Sequence, residues 1–344
     1  GGGWMSDSGN MTTVLGAGTM GAGIAQSLAD HGFRVTLCDV DSQALERACA
    51  RIAVSRRTLE SAGLQTHAQS VLGASLLTTS CLVEDVEPQS DLIIESISEN
   101  LEVKTDVFRQ LDRLAPSHAA IVSNTSGLSI TSLATVTNRP TQVAGFHWFN
   151  PAELVPLVEV TSGSETSPAL IEQLMTLARG LGKQPIHVRR DVPGFVANRL
   201  QFAVFREALH LLEEDVVSAA DLDRAITGGP GFRWPFLGPL QTADFGGLDI
   251  FHSIATYLWA DLSDAKVPPP LLEEKLKAGK LGTKSGAGFY EYSAEHLADL
   301  IGRRDRFLLG LKQLVHEVQS DGDLAGSSAA GAGSSRTDSG GVIE

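Results

Sequence analysis

Residues 11–41 read MTTVLGAGTMGAGIAQSLADHGFRVTLCDVD, and this run decides the fold. Thr12 to Leu15 is a short apolar run closed by glycine, the pattern of a buried strand. Gly16-Ala17-Gly18-Thr19-Met20-Gly21 follows. From Met20 the apolar residues recur at helical spacing through Ile24 and Leu28, and Gly32 ends the helix. Phe33 to Asp39 is a second strand. A bare G-x-G-x-x-G is a common turn. Here it follows a strand, opens a helix and has an acid 21 residues after Gly18. That context predicts a dinucleotide site. Gly16 permits the tight turn, Gly18 lets backbone approach a pyrophosphate, and Gly21 lets helix pack on strand. The helix N-terminus then offers unpaired N–H groups to the phosphates. Asp39 can accept from both ribose hydroxyls of NAD and would repel the 2′-phosphate of NADP. Gly16, Gly18, Thr19, Met20, Gly21 and Asp39 are therefore assigned to the cofactor. The competing reading is a plain strand-turn-helix.

The same alternation continues outward. Candidate strands lie at Leu76–Thr79, from Asp91 (DLIIESI), at Ala119–Asn124, at Gln142–Phe149 and at Lys183–Val188, with ENLEVKTDVFRQLDRLA reading as a helix. Strands alternating with helices imply a parallel, doubly wound α/β sheet of Rossmann type. Ligands of such sheets sit at the carboxyl ends of the strands. Glu95, Ser96, Glu99, Asn124, Ser126, His147 and Asn150 lie at those ends and become candidates. After RRDVPGFVANRL the pattern is helical: a long helix to Glu214, then Ala220–Ile226, Thr242–Trp259, Leu271–Ala278 and His296–Val318. The expected organisation is a tag or disordered 1–10, an NAD-binding domain 11–189, a helical substrate and dimerisation domain 190–320, and a disordered tail 321–344. The abundant apolar faces of the helices suggest a homodimer.

Composition narrows the partners. Lys and Arg number 27 against 41 Asp and Glu, a net charge of −14, which disfavours nucleic acid and anionic membrane. No apolar run approaches the roughly 20 residues that span a bilayer. The first ten residues lack a basic region and an apolar core, so they do not read as a signal peptide. Cys38, Cys49 and Cys81 show neither metal-type spacing nor an even count, so a reducing, cytoplasmic setting with no metal is expected.

From about Thr12 to Tyr292 the chain resembles the L-3-hydroxyacyl-CoA dehydrogenases. The residues that carry the resemblance are GAGTMGAGIAQ, DLIIESISENLEVK, SNTSGLSIT, GFHWFNP, PLVEV, DVPGFVANRL, GPLQTADFGGLD and GTKSGAGFYEY, in that order. It implies NAD-dependent, reversible oxidation of a 3-hydroxyacyl thioester. It also implies His147 as catalytic base, Glu159 as its orienter, and Ser126 and Asn198 at the substrate. Glu99 and Lys104 are implied near the cofactor, where Asn124 is also assigned. The chemistry agrees. A histidine can take the hydroxyl proton, a carboxylate on its other nitrogen fixes the tautomer, and neutral donors hold the developing oxyanion. Each residue has a plainer alternative. Glu159 could pair with an arginine, Ser126 could cap the helix near Ser129, Asn198 could satisfy backbone, and Asn150 before Pro151 reads as a turn. Arg56 and Arg57 are candidate partners of CoA phosphates or members of an exposed charged face. Trp148, Pro156 and the bulky link GGPGFRWPFLGPL depart from the family pattern. The link is similar to the lambda-crystallin and L-gulonate dehydrogenase group. A free hydroxy acid, a carrier-protein-bound acyl group and a crystallin-like structural role therefore stay open.

Overall fold

The computed structural model describes residues 11–81 and 90–320. The expectations for the two ends, 1–10 and 321–344, lie outside the described residues. Eight strands form one sheet: β1 (Met11–Leu15), β2 (Arg34–Cys38), β3 (Leu77–Ser80), β4 (Ser90–Glu95), β5 (Ala120–Ser123), β6 (Val143–Trp148), β7 (Leu157–Ser162) and β8 (Gln184–Val188). Their order is β3-β2-β1-β4-β5-β6-β7-β8. Around them run α1 (Thr19–Asp30), α2 (Ser42–Ser61), α3 (His67–Leu76), α4 (Leu101–Leu114), α5 (Ile130–Ala134) and α6 (Pro168–Gly180). The sheet is buried on both faces, as parallel sheets are. Val14, Ile94, Phe146 and Val160 pack toward Ile24, Leu28 and Leu174. Ile93 and Ile121 pack toward Phe108, Leu111 and Leu133.

Two expectations need correction. β7 was not anticipated as a strand, and it runs antiparallel to β6, while β8 is parallel to β7. The short loop between β6 and β7 leaves no room for a crossover helix, so the chain must return as a hairpin. The helix expected over Thr242–Trp259 is two helices, broken where Gly247 takes φ +89°.

The second half comprises α7 (Ala197–Glu213), α8 (Ala219–Gly228), α9 (Pro230–Arg233), α10 (Pro239–Gly246), α11 (Leu248–Leu258), α12 (Pro270–Lys277) and α13 (Ala294–Ser320). From Ala197 to Tyr292, Leu209 is the only buried side chain among the described residues. Phe232, Leu240, Phe245 and Trp259 are each at least 75% exposed. This part of the chain encloses almost no core of its own. α13 returns to the sheet domain: Leu309 packs with Leu59 and Leu154, and Gln313 Nε2 donates to the Ala62 carbonyl at 2.9 Å.

Candidate active site

The glycine loop is built for an anion. Gly16 holds φ +104°, and a Cβ there would sit 2.4 Å from the Ser96 carbonyl oxygen. A Cβ on Gly21 would sit 1.8 Å from the Gly16 carbonyl oxygen. Both positions are closed to side chains by packing. Gly18 is different: a Cβ there meets nothing within 4 Å. It is also the N-cap of α1, with no side-chain cap and no acid in the first turn, so the leading N–H groups remain available. Thr19 and Met20 stand in that first turn. Asp39 follows β2 and accepts from Ala17 N at 2.7 Å and Asp41 N at 2.9 Å, which locks it against the loop. These residues fit a dinucleotide, with its pyrophosphate over Gly18 and its adenosine ribose toward Asp39.

His147 and Glu159 are register partners across the β6–β7 hairpin. The antiparallel pairing puts both side chains on one face of the sheet. Glu159 Oε2 lies 2.8 Å from His147 Nδ1. With the carboxylate ionised, Nδ1 carries a proton and donates it, leaving Nε2 as the lone-pair nitrogen. Glu159 Oε1 accepts from Val196 N at 3.0 Å and Ala197 N at 2.9 Å. Burial pushes the Glu159 carboxyl upward. The bonds from His147 and from the Ala197 and Val196 amides outweigh it and hold the group below its usual value. The imidazole lies against Phe149, with ring centres 4.4 Å apart, and near Phe195 at 5.9 Å. Phe195 itself is strained at φ +48°, directly after the Pro193-Gly194 turn.

That turn brings Asn198 to Ser126. Gly127 and Gly194 meet backbone to backbone, where a Cβ on Gly127 would be 2.5 Å from Gly194 N. Asn198 Nδ2 then donates to the Ser126 carbonyl at 3.0 Å, so it does satisfy backbone as the plainer alternative had it. Ser126 does not cap α5; Ser129 does, accepting from Ser132 N at 3.1 Å. The Ser126 hydroxyl is exposed and has no partner among the described residues. Asn124 accepts from Trp148 N at 2.8 Å and donates to Ser96 Oγ at 3.2 Å, tying β5 to β6 above the loop. Glu99, half-exposed, accepts from Thr125 Oγ1 at 2.6 Å and Ser126 N at 2.9 Å.

Lys104, implied by the resemblance to lie near the cofactor, is held against Glu95. It is buried, donating to Glu95 at 2.6 Å and to the Ile97 carbonyl at 3.3 Å, and is 3.5 Å from Glu99. Its charge is spent on Glu95, because a buried ammonium needs a counter-ion. Any influence on a bound cofactor would pass through Glu99. Glu95 is the residue sequence reasoning left without a role. Fully buried, it also accepts from Ser123 Oγ at 2.6 Å and Ile97 N at 2.7 Å, fixing the ends of β4 and β5. An acid closing an apolar strand, with a lysine nine residues on, was the available signal. Arg56 is corrected too. It is buried, with its guanidinium 2.6 Å from Asp30, and pins α2 to α1. Arg57 remains exposed. Among the described residues, no group of three or more His, Cys, Asp or Glu side chains could hold a metal ion.

Comparison with known proteins identifies the family. Residues 11–192 match the model of the 3-hydroxyacyl-CoA dehydrogenase NAD binding domain, and residues 194–292 match that of the 3-hydroxyacyl-CoA dehydrogenase C-terminal domain. A probable 3-hydroxybutyryl-CoA dehydrogenase of Bacillus subtilis is 42% identical over 282 residues, covering 81% of this chain and 96% of its own. The 5-formyl-3-hydroxy-2-methylpyridine 4-carboxylate 5-dehydrogenase of Mesorhizobium japonicum is 36% identical over 302 residues, 88% of this chain and 97% of its own. A crystal structure described as that pyridine-carboxylate dehydrogenase, an NAD+-dependent dismutase, superposes with TM-score 0.85 at 35% identity, over 90% of this chain and 99% of the other.

Proposed function

The chain belongs to the 3-hydroxyacyl-CoA dehydrogenase family of NAD-dependent oxidoreductases, and we propose from that membership that it oxidises an L-3-hydroxyacyl thioester to the 3-oxoacyl thioester, reversibly. The observation that carries this is the buried His147–Glu159 pair, whose carboxylate also accepts from Val196 N and Ala197 N, next to the Asn198 that bonds Ser126. When bound, NAD supplies the hydride acceptor. His147 Nε2 takes the hydroxyl proton. Glu159 keeps Nδ1 protonated and offsets the charge of the imidazolium that forms. The Ser126 hydroxyl and the Asn198 amide hold the substrate oxygen, Asn198 after releasing the Ser126 carbonyl. Phe149 and Phe195 keep water from the imidazole. In the reverse direction the same histidine returns the proton.

A second reading is a free hydroxy acid without a thioester carrier, and the placement of α13 favours it. α13 lies against the end of α2, the helix that bears Arg56 and Arg57. Of the two arginines offered as phosphate partners, only Arg57 is exposed. The longer match is to a dehydrogenase whose named substrate is a free carboxylate rather than a thioester, which supports a substrate without a carrier. NADH formation measured with 3-hydroxybutyryl-CoA, longer 3-hydroxyacyl-CoAs and free 3-hydroxy acids separates the two. Turnover of free acids alone would refute the thioester reading, and binding of NAD without any turnover would support a crystallin-like structural role.

A homodimer through α9–α11 is part of the proposal. Phe232, Phe236, Leu240, Phe245, Leu248 and Trp259, large apolar side chains close together in the chain, are all exposed, as surface covered by a partner would be. A second copy is the occupant, and light scattering at micromolar concentration checks it. No described helix is long and apolar enough to cross a membrane.

A further inference from the structure

A cavity of about 640 Å³ runs along one face of α7. That is the size of a small-molecule site. Asn198, Phe202, Phe205 and Arg206 line it from the helix, and Lys266 and Val267 from the segment before α12. Residues four and eight apart share a helix face, so Asn198, Phe202 and Arg206 form one line. The cavity thus begins at the asparagine of the active site and leads away from it. Phe202 and Phe205 follow Asn198 along it, and Arg206 and Lys266 bring two cations to the lining.

That charge is unusual for this chain. The protein carries a net charge of −14, yet no Asp or Glu lines the cavity. Arg206 and Lys266 have no ion pair and no hydrogen-bond partner among the described residues. Arg199, also in the lining, donates to the Pro193 carbonyl at 3.3 Å and belongs to the turn. Two unpaired cations beside an apolar channel fit an anion on an apolar stem. A guanidinium fork matches a carboxylate in particular. Arg206 stands eight residues after Asn198, about 12 Å along the helix axis. Helical side chains lean toward the N-terminus, which turns Arg206 back toward the reacting end.

We propose that this cavity takes the end of the substrate remote from the reacting carbon, and that Arg206 and Lys266 select substrates whose remote end is a carboxylate. The proposal rests on the reading that an alcohol is oxidised at His147. It adds the substrate class: a hydroxy compound with a short apolar segment ending in a carboxylate.

The test compares two six-carbon 3-hydroxyacyl-CoA substrates, one ending in methyl and one in carboxylate. The wild type should favour the carboxylate-ended compound by tenfold or more in kcat/KM. Arg206→Gln with Lys266→Gln should erase that ratio, while Arg206→Lys with Lys266→Arg should keep most of it. Calorimetric titration of adipate into the NAD-saturated enzyme gives an independent reading. Its affinity should fall at least tenfold in the glutamine variant. A ratio near unity in the wild type overturns the proposal, as does a ratio unmoved by the glutamine variant. A glutamine variant that changes the oligomer's mass but neither the ratio nor adipate binding overturns it as well, and assigns the cations to a contact between copies. If neither thioester is oxidised, the proposed function fails, and the adipate titration still decides the anion site.

Discussion

Replacing Glu159 by glutamine tests the centre of the site, because three donors converge on that carboxylate. Oε2 takes His147 Nδ1, and Oε1 takes the Val196 and Ala197 amides. A glutamine has one acceptor oxygen and one NH2 group, so one side must lose. If the NH2 faces α7, two part-buried amides at its start lose their acceptor, at a cost of about 1–3 kcal/mol each. If it faces His147, both amides keep theirs, and the NH2 donates into Nδ1. The second arrangement wins by several kcal/mol on that count, about 2–6 in total. It moves the imidazole proton to Nε2, where the base needs a lone pair. Tautomer reversal of this kind costs on the order of 10⁴ in kcat, about 5.5 kcal/mol of barrier. The expected outcome is a fold destabilised by no more than about 2 kcal/mol, NAD affinity within a few-fold of wild type, and turnover lowered by about three to four orders of magnitude. Steady-state kinetics, a separate NAD titration and urea denaturation measure the three. There is also a pH signature. The folded Glu159 carboxyl is held below its usual 4.5, so its stabilisation is present above that value and is lost as pH falls through the folded value. Wild type should thus lose more stability than the glutamine variant on acidification below pH 4.5. Turnover within tenfold of wild type would refute the assignment of Glu159 as the group that fixes the histidine.

Three further outcomes follow from the same coordinates. Gly18→Ala should fold like wild type, since its Cβ meets open space, yet bind NAD at least tenfold more weakly; Gly21→Ala, aimed into the Gly16 carbonyl, should lose stability as well, and thermal melting with and without NAD tells them apart. Arg56→Ala leaves Asp30 buried beside a weaker partner set and should cost about 3–5 kcal/mol in urea denaturation. Arg57→Ala, on the exposed face, should stay within about 0.5 kcal/mol. Burial, with the Lys312 ammonium nearby, pushes Lys183 down to about 7 although Glu153 opposes it. The unfolded chain then binds the extra proton between pH 7 and about 10.5, so this group raises stability as pH climbs from 7 to 9, by about 2 kcal/mol. The gain should vanish in Lys183→Met, and equal pH slopes for the two proteins would show that Lys183 keeps an ordinary affinity for its proton.

What the sequence revealed and what it hid divide along the range of the interactions involved. The glycine loop and Asp39 were readable because strand, turn, helix and strand succeed one another within 31 residues. His147 was readable as a polar residue at a strand end. Its partner was reached only through the resemblance, since Glu159 faces His147 by way of an antiparallel register that local periodicity does not encode. β7 went unseen because its apolar run is short and holds that glutamate in its middle. The break between α10 and α11 was missed although two adjacent glycines stand there, because apolar spacing continues across them. Arg56 is the instructive error. The buried positions of α2 are Leu45, Ala48, Ile52, Arg56 and Leu59, a helical stripe that already places the arginine inward. The partner that makes this affordable, Asp30, lies on another helix, and no local pattern announces it.

The carboxylate of Glu159 does two things that are usually separate. It orients His147, and it supplies the missing cap of α7, whose first turn has no side-chain cap of its own. The face of α7 that follows carries Asn198 at the reacting end and Arg206 further along. One buried group therefore references His147, Asn198 and the cavity along α7 to the same point on the sheet. A displacement of the start of α7 would pull on the bonds that set the histidine's tautomer. If His147 is the base as proposed, substrate fit and proton transfer would be coupled through two backbone amides and one carboxylate, and a substrate that draws α7 closer would tighten the bonds that hold the histidine's tautomer.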